Sequence, residues 1–373
     1  LHNRKHSFPT RRSSDLIEDG LVQLDISDPE AKTTLATNAQ LVGEEEGEED
    51  GTFNIQSYTI SPDGKKVLIV GDRKKIYRRS STVTARVYDF AADSSISVFD
   101  GKAIGYPTFS PDGTRLGFTH ENNLYLMDLT TGESTAVTTD GKKNKIINGS
   151  TDWVHEEEFA FTKAFHFSHT GNFLVYYRFD ESEVKQFDMD IYGELYPNTY
   201  EFKYPKAGEN NAKVQLFMYD VQNATSKEVT FPVDEELYYP RMWWSPTRGQ
   251  LVVYTLNRHQ NHVRLFRVYG ESAEVAPLME EKSETWLDEP DDHTFYWLDN
   301  GAAYIWQSER TGYKHLYLYD RQGQLLYPLT QGPWEVTELH GADQKNNLVY
   351  FTAAEQSPME RHVYTAKLDG KKP

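Results

Sequence analysis

Hydrophobic residues come in short runs along this chain, and each run is closed by a polar turn. Lys66-Val67-Leu68-Ile69-Val70, Leu116-Gly117-Phe118-Thr119, Phe173-Leu174-Val175-Tyr176-Tyr177, Leu251-Val252-Val253-Tyr254 and Ala303-Tyr304-Ile305-Trp306 are apolar enough to be buried strands. A second set alternates apolar and polar positions: Leu124-Tyr125-Leu126-Met127-Asp128, Leu216-Phe217-Met218-Tyr219-Asp220 and Leu316-Tyr317-Leu318-Tyr319-Asp320. Period two marks half-buried strands. Almost no span carries sustained helical spacing, so the pattern predicts an all-β chain.

The turns repeat as well. Ser61-Pro62-Asp63-Gly64 recurs as Ser110-Pro111-Asp112-Gly113, then more weakly as Ser168-His169-Thr170-Gly171, Ser245-Pro246-Thr247-Arg248-Gly249 and Leu298-Asp299-Asn300-Gly301. The intervals are 49, 58, 77 and about 54 residues. Proline at the first corner and glycine near the end suit a tight turn. Three to four strands in each repeat of roughly 50 residues predict a β-propeller, whose blades bury their faces only by stacking. A β-sandwich array is the alternative, and the paired turn and Tyr-Asp phrases favour the propeller. The long interval from Ser168 to Ser245 and the polar stretch from Asp140 to Glu158 read as insertions. The acidic run Glu44 to Asp50 reads as a solvated loop.

Composition narrows the picture. In 373 residues, 39 Lys+Arg stand against 57 Asp+Glu, a formal net charge of −18. That balance argues against a nucleic-acid partner, which requires a basic face. With no cysteine, disulfides, iron–sulfur clusters, thiolate zinc and a cysteine nucleophile are excluded. No run of about 18 apolar residues is present. Residues 1–16 are basic, polar and aperiodic, and no apolar stretch follows Arg11-Arg12, so they do not read as an export signal. The expectation is a non-native or unstructured segment at 1–16, then a propeller over 17–373, with both ends cut.

The chemistry concentrates in Asp152-Trp153-Val154-His155-Glu156-Glu157-Glu158-Phe159. Three buried, unpartnered glutamates would be costly. On a strand, Glu157 and Glu158 would face opposite ways; on a helical turn they stand about 100° apart and can converge on one target. Converging carboxylates suit an ammonium group with its three donors. A solvated acidic turn, or an incomplete metal site, is the plainer alternative.

The same segment resembles the double-glutamate motif of the dipeptidyl peptidase IV branch of the prolyl oligopeptidase family of serine peptidases. Phe179-Asp180-Glu181-Ser182-Glu183-Val184, Tyr204-Pro205-Lys206-Ala207-Gly208, Leu256-Asn257-Arg258-His259-Gln260-Asn261, Tyr77-Arg78-Arg79-Ser80 and Gly332-Pro333-Trp334-Glu335-Val336 resemble further phrases of that family, from about Ile17 to Leu368. The resemblance implies a bacterial-type propeller of seven to eight blades, each of about four antiparallel strands, the first incomplete. It implies that Glu157 and Glu158 hold a peptide's free N-terminal amine and that Arg78 contacts them. Glu156, Asp152 and Trp153 are supporting residues; His155 stands where many relatives have tyrosine and is assigned no role.

An α-amine titrates near pH 7.7–8 and is largely cationic at neutral pH, and a guanidinium nearby keeps paired carboxylates charged. An amine held at a fixed distance from a nucleophile selects the bond cut, so a fixed-length N-terminal fragment would be released; the resemblance implies that this fragment is a dipeptide, X-Pro or X-Ala. No Gly-x-Ser-x-Gly elbow occurs in these residues. The resemblance therefore places the nucleophile in a C-terminal α/β-hydrolase domain outside this chain, and the chain alone is expected to be inactive. No catalytic residue, metal or cofactor is expected here. The implied partners are peptides with a free N-terminus, the hydrolase domain of the same protein, and a second copy in a full-length homodimer. The implied location is periplasmic or otherwise extracytoplasmic, free or membrane-anchored. Alternatives are a prolyl tripeptidyl peptidase propeller and a non-catalytic protein-binding propeller.

Overall fold

The computed structural model describes residues 12–17, 20–25, 27–43, 53–246, 249–298 and 301–370. Residues 1–11 of the N-terminal segment, the acidic run 44–50, turn residues 247–248 and 299–300, and residues 371–373 lie outside the described residues. The chain forms two compact units, Leu1–Gly171 with Tyr176–Lys213, and Asn172–Val175 with Val214–Pro373.

In the first unit, β1 (Arg12–Ile17), β2 (Gly20–Asp25) and β3 (Asp28–Thr37) form an antiparallel sheet followed by the short helix α1 (Asn38–Val42). Arg12 to Leu16, set aside as non-native above, thus lie in a strand. Two four-stranded meanders follow. The first comprises β4 (Ile55–Ile60), β5 (Lys66–Lys75), β6 (Ser81–Asp89) and β7 (Ser94–Ser97). The second comprises β8 (Gly105–Phe109), β9 (Arg115–His120), β10 (Asn123–Asp128) and β11 (Ser134–Ala136). Next come β12 (Ile146–Asn148), helix α2 (Trp153–Glu157), β13 (Phe165–Phe167) and β14 (Phe173–Asp180), with β12 and β13 both pairing with β14. The long interval between turn phrases holds a separate two-stranded arm, β15 (Gln186–Ile191) with β16 (Asn198–Lys203). Ile191, Tyr192, Leu195 and Tyr196 are exposed at its tip.

In the second unit, β17 (Lys213–Asp220) pairs with β18 (Thr225–Val229). Two four-stranded meanders follow, β19 (Leu237–Trp244) to β22 (Val275–Lys282) through β20 (Gln250–Asn257) and β21 (His262–Tyr269), and β23 (Phe295–Trp297) to β26 (Leu325–Pro328) through β24 (Ala303–Ser308) and β25 (His315–Asp320). The last sheet is β27 (Val336–Asp343), β28 (Leu348–Ala353) and β29 (His362–Lys367). The fold is all-β, built from the antiparallel sheets of a propeller.

The repeated turn works through its serine. Ser61 Oγ donates to Asp63 Oδ1 at 2.7 Å and accepts from Lys66 N at 2.9 Å, while Gly64 N donates to Ser61 O at 2.8 Å. Ser110 repeats the pattern with Asp112 at 2.6 Å and Arg115 N at 2.9 Å. Both serines are buried, and Gly64 and Gly113 take φ of 73° and 67°, a region that glycine adopts freely. The Tyr-Asp phrase closes the other turn. Asp128 Oδ1 accepts from Thr130 N and Thr131 N, and Asp220 Oδ1 accepts from Gln222 N and Asn223 N. Asp89 does the same for Ala91 and Ala92, a copy that sequence reading missed. Apolar strand faces then pack sheet on sheet: Leu68, Val87, Ile104, Leu116 and Phe118 share one core in the first unit, and Ile305, Leu316, Val336, Leu339 and Phe351 share one in the second.

Candidate functional site

Helix α2 is too short to persist without tertiary support. Asp152 caps it: Asp152 Oδ1 accepts from His155 N at 3.0 Å and lies 2.7 Å from the His155 ring Nδ1. Asp152, Val154, His155 and Glu156 are buried, whereas Glu157 is half-buried and Glu158 exposed. The run is therefore helical rather than extended. Glu158 closes the helix with φ −85° and ψ −37°, its N–H donating to Val154 O at 2.9 Å.

The three glutamates divide their work. Glu156, only 1% exposed, accepts from Arg79 N at 2.7 Å and Ser80 N at 2.9 Å through Oε1. The Arg79 guanidinium returns a bond to Glu156 O at 2.9 Å. These bonds tie the loop between β5 and β6 to α2 across 76 and 77 residues of chain. The tie sets Arg78 beside Glu157, with Arg78 Nη1 3.4 Å and Arg79 Nη1 3.9 Å from Glu157 Oε2. Arg78 is exposed and Glu157 keeps partial access to solvent. Glu157 thus offers a carboxylate flanked by cations, next in sequence to the exposed Glu158.

Aromatic rings carry this arrangement onto the arm. Trp153 meets Tyr204 edge-on at 4.2 Å between ring centres, and Tyr77, next to Arg78, packs on Phe202 at 5.8 Å and Tyr200 at 6.5 Å. Behind them lies Glu181, a buried residue of the family phrase whose role the sequence left unassigned. Burial, then the negative charge of Asp152, pushes its carboxyl up to about 7, opposed by Lys203. Burial, with Tyr200 and Glu181 nearby, holds the Tyr77 hydroxyl above its usual range. Burial likewise raises the Tyr106 hydroxyl.

The structure brings together Arg78, Asp152, Trp153, Glu156, Glu157 and Glu158, all within the first unit. Sequence reading gave no role to Arg79 and Ser80, whose backbone N–H groups hold Glu156 while the Arg79 guanidinium bonds Glu156 O. Among the described residues, no three His, Asp or Glu side chains gather as a metal site. No helix among them is long and apolar enough to cross a membrane.

In a crystal structure of Porphyromonas gingivalis dipeptidyl peptidase 4, the match covers 97% of this chain and 51% of that chain, with a TM-score of 0.88 and 32% identity. A Talaromyces marneffei protein named "Probable dipeptidyl-aminopeptidase B" is 31% identical over 360 residues, 86% of this chain and 40% of the relative. Dipeptidyl peptidase 4 of Trichophyton rubrum is 30% identical over 330 residues, 84% of this chain and 42% of the relative. The chain spans about two fifths of the length of these two curated relatives. The model of the family described as the dipeptidyl peptidase IV (DPP IV) N-terminal region matches residues 61–373, so with its propeller sheets the chain belongs to that family.

Proposed function

We propose that this chain is the substrate-recognition and gating propeller of a serine exopeptidase that releases N-terminal dipeptides, with Glu157 and Glu158 holding the substrate's N-terminal ammonium. The observation that carries the reading is the division of the glutamate run: Glu156 is consumed in fixing α2, while Glu157 keeps partial access to solvent beside Arg78 and Glu158 is exposed. An exposed Arg–Glu pair contributes little to stability on its own. A substrate ammonium would add charge-assisted hydrogen bonds to carboxylates already set in place. An internal peptide segment offers no ammonium to those carboxylates and gains none of these bonds. Arg78, 3.4 Å from Glu157, adds donors for a substrate carbonyl.

The peptide bond is cleaved in the α/β-hydrolase domain that the family resemblance adds to the full-length protein. The exposed apolar tip of the arm supports self-association of that protein. The test is steady-state kinetics of the full-length enzyme on a Gly-Pro or Ala-Pro anilide. Glu157→Gln and Glu158→Gln should each lower kcat/KM about tenfold or more, the size of one lost ionic hydrogen bond. Unchanged kcat/KM in both variants overturns the amine-holding assignment. Absence of turnover sensitive to serine-directed inhibitors in the wild type overturns the enzyme reading.

A further inference from the structure

Helix α2 presents its glutamates from only five residues, so what sets its orientation sets theirs. Its middle is tied by Glu156. Its start is tied by one residue twice, since His155 gives both its backbone N–H and its ring Nδ1 to the same oxygen of Asp152, at 3.0 and 2.7 Å. A carboxylate only accepts, so Nδ1 carries the ring proton. His155 is 2% exposed and Asp152 5%. Phe159, Phe161 and Phe179 surround the ring at 5.3, 5.9 and 5.0 Å between centres. A donor placed in such an apolar pocket makes a strong, directional bond, and losing it would leave a buried carboxyl oxygen short of a partner.

We propose that His155 is a positioning residue for the amine-holding carboxylates: its Nδ1–H bond to Asp152 fixes the first turn of α2, and through it the placement of Glu157 and Glu158. The inference rests on the amine-holding reading above. A positioning loss differs from a folding loss in kinetics. Fewer folded molecules lower the apparent kcat and leave KM alone, whereas a misplaced carboxylate weakens substrate binding and raises KM.

The experiment compares His155→Phe, which keeps a ring among the phenylalanines without the donor, with His155→Asn, whose side-chain N–H stands near the position of Nδ1. Both are made in the full-length enzyme and assayed on a dipeptidyl anilide with a free amine, beside Glu157→Gln. His155→Phe is expected to raise KM about tenfold with little change in kcat, and His155→Asn to recover most of the wild-type KM. A wild-type KM in His155→Phe, while Glu157→Gln raises it, overturns the positioning role and leaves the clamp standing. No effect of Glu157→Gln removes the clamp itself. If His155→Phe does not fold, His155→Asn decides: a KM raised as far as in Glu157→Gln overturns the proposal, and one near wild type supports it.

Discussion

Three adjacent glutamates have three environments, and the residue scale explains why. Successive helical positions differ by about 100°, so one side chain of the run points into the protein and its neighbours outward. Glu156 faces inward and accepts two backbone N–H groups of the facing loop. Removing it strands both donors, each at a cost of about 1–3 kcal/mol. Glu156→Ala is therefore expected to destabilise the chain by about 2–4 kcal/mol. Denaturant unfolding measures this directly, and a loss below about 0.5 kcal/mol, within the usual scatter of surface changes, would contradict it. The glutamate run and Arg78 were legible in the sequence because they are charged residues in a recognisable phrase. Which glutamate is buried was not legible, since that depends on backbone donors of Arg79 and Ser80, which any residue could supply.

At the element scale, the repeated phrases were legible because their chemistry is local. The serine of each Ser-Pro-Asp-Gly turn and the aspartate of each Tyr-Asp turn bond groups within a few residues. The arm of β15 and β16 appeared in the sequence only as an irregular interval, and its packing against Trp153 and Tyr77 is a long-range matter that no spacing encodes. Glu181 lies behind this junction, and its carboxyl is raised from 4.5 to about 7, chiefly by burial. A raised carboxyl holds its proton more tightly in the folded state. Its contribution is complete below about pH 4.5 and is lost as pH climbs through about 7. That loss is at most about 3 kcal/mol. Glu181→Gln, neutral at every pH, should raise the thermal midpoint near pH 8 and change it little near pH 5. An equal effect at both pH values would contradict the assignment of that titration to Glu181.

At the scale of the whole molecule, successive sheets must fit face to face. Gly117 on β9 shows the tolerance. A Cβ there would lie 2.9 Å from the Phe165 ring and 3.2 Å from that of Phe167, both on β13. Gly117→Val is expected to cost about 1–3 kcal/mol by overpacking, read from the thermal midpoint, and unchanged stability would show that the sheets give way. The propeller class was legible from the repeat, but this fit was not, because glycine in a strand signals only that something stands close. The functional claim concerns two of the 57 acidic residues. The most direct test of that claim changes the ligand and the site together. In the full-length enzyme, kcat/KM is measured for Gly-Pro anilide and its N-acetylated form, in wild type and in the Glu157→Gln, Glu158→Gln double variant. If the carboxylates hold the amine, the wild type strongly prefers the free amine and the double variant loses most of that preference, the two changes being non-additive. A preference of the same size in both proteins would contradict the account.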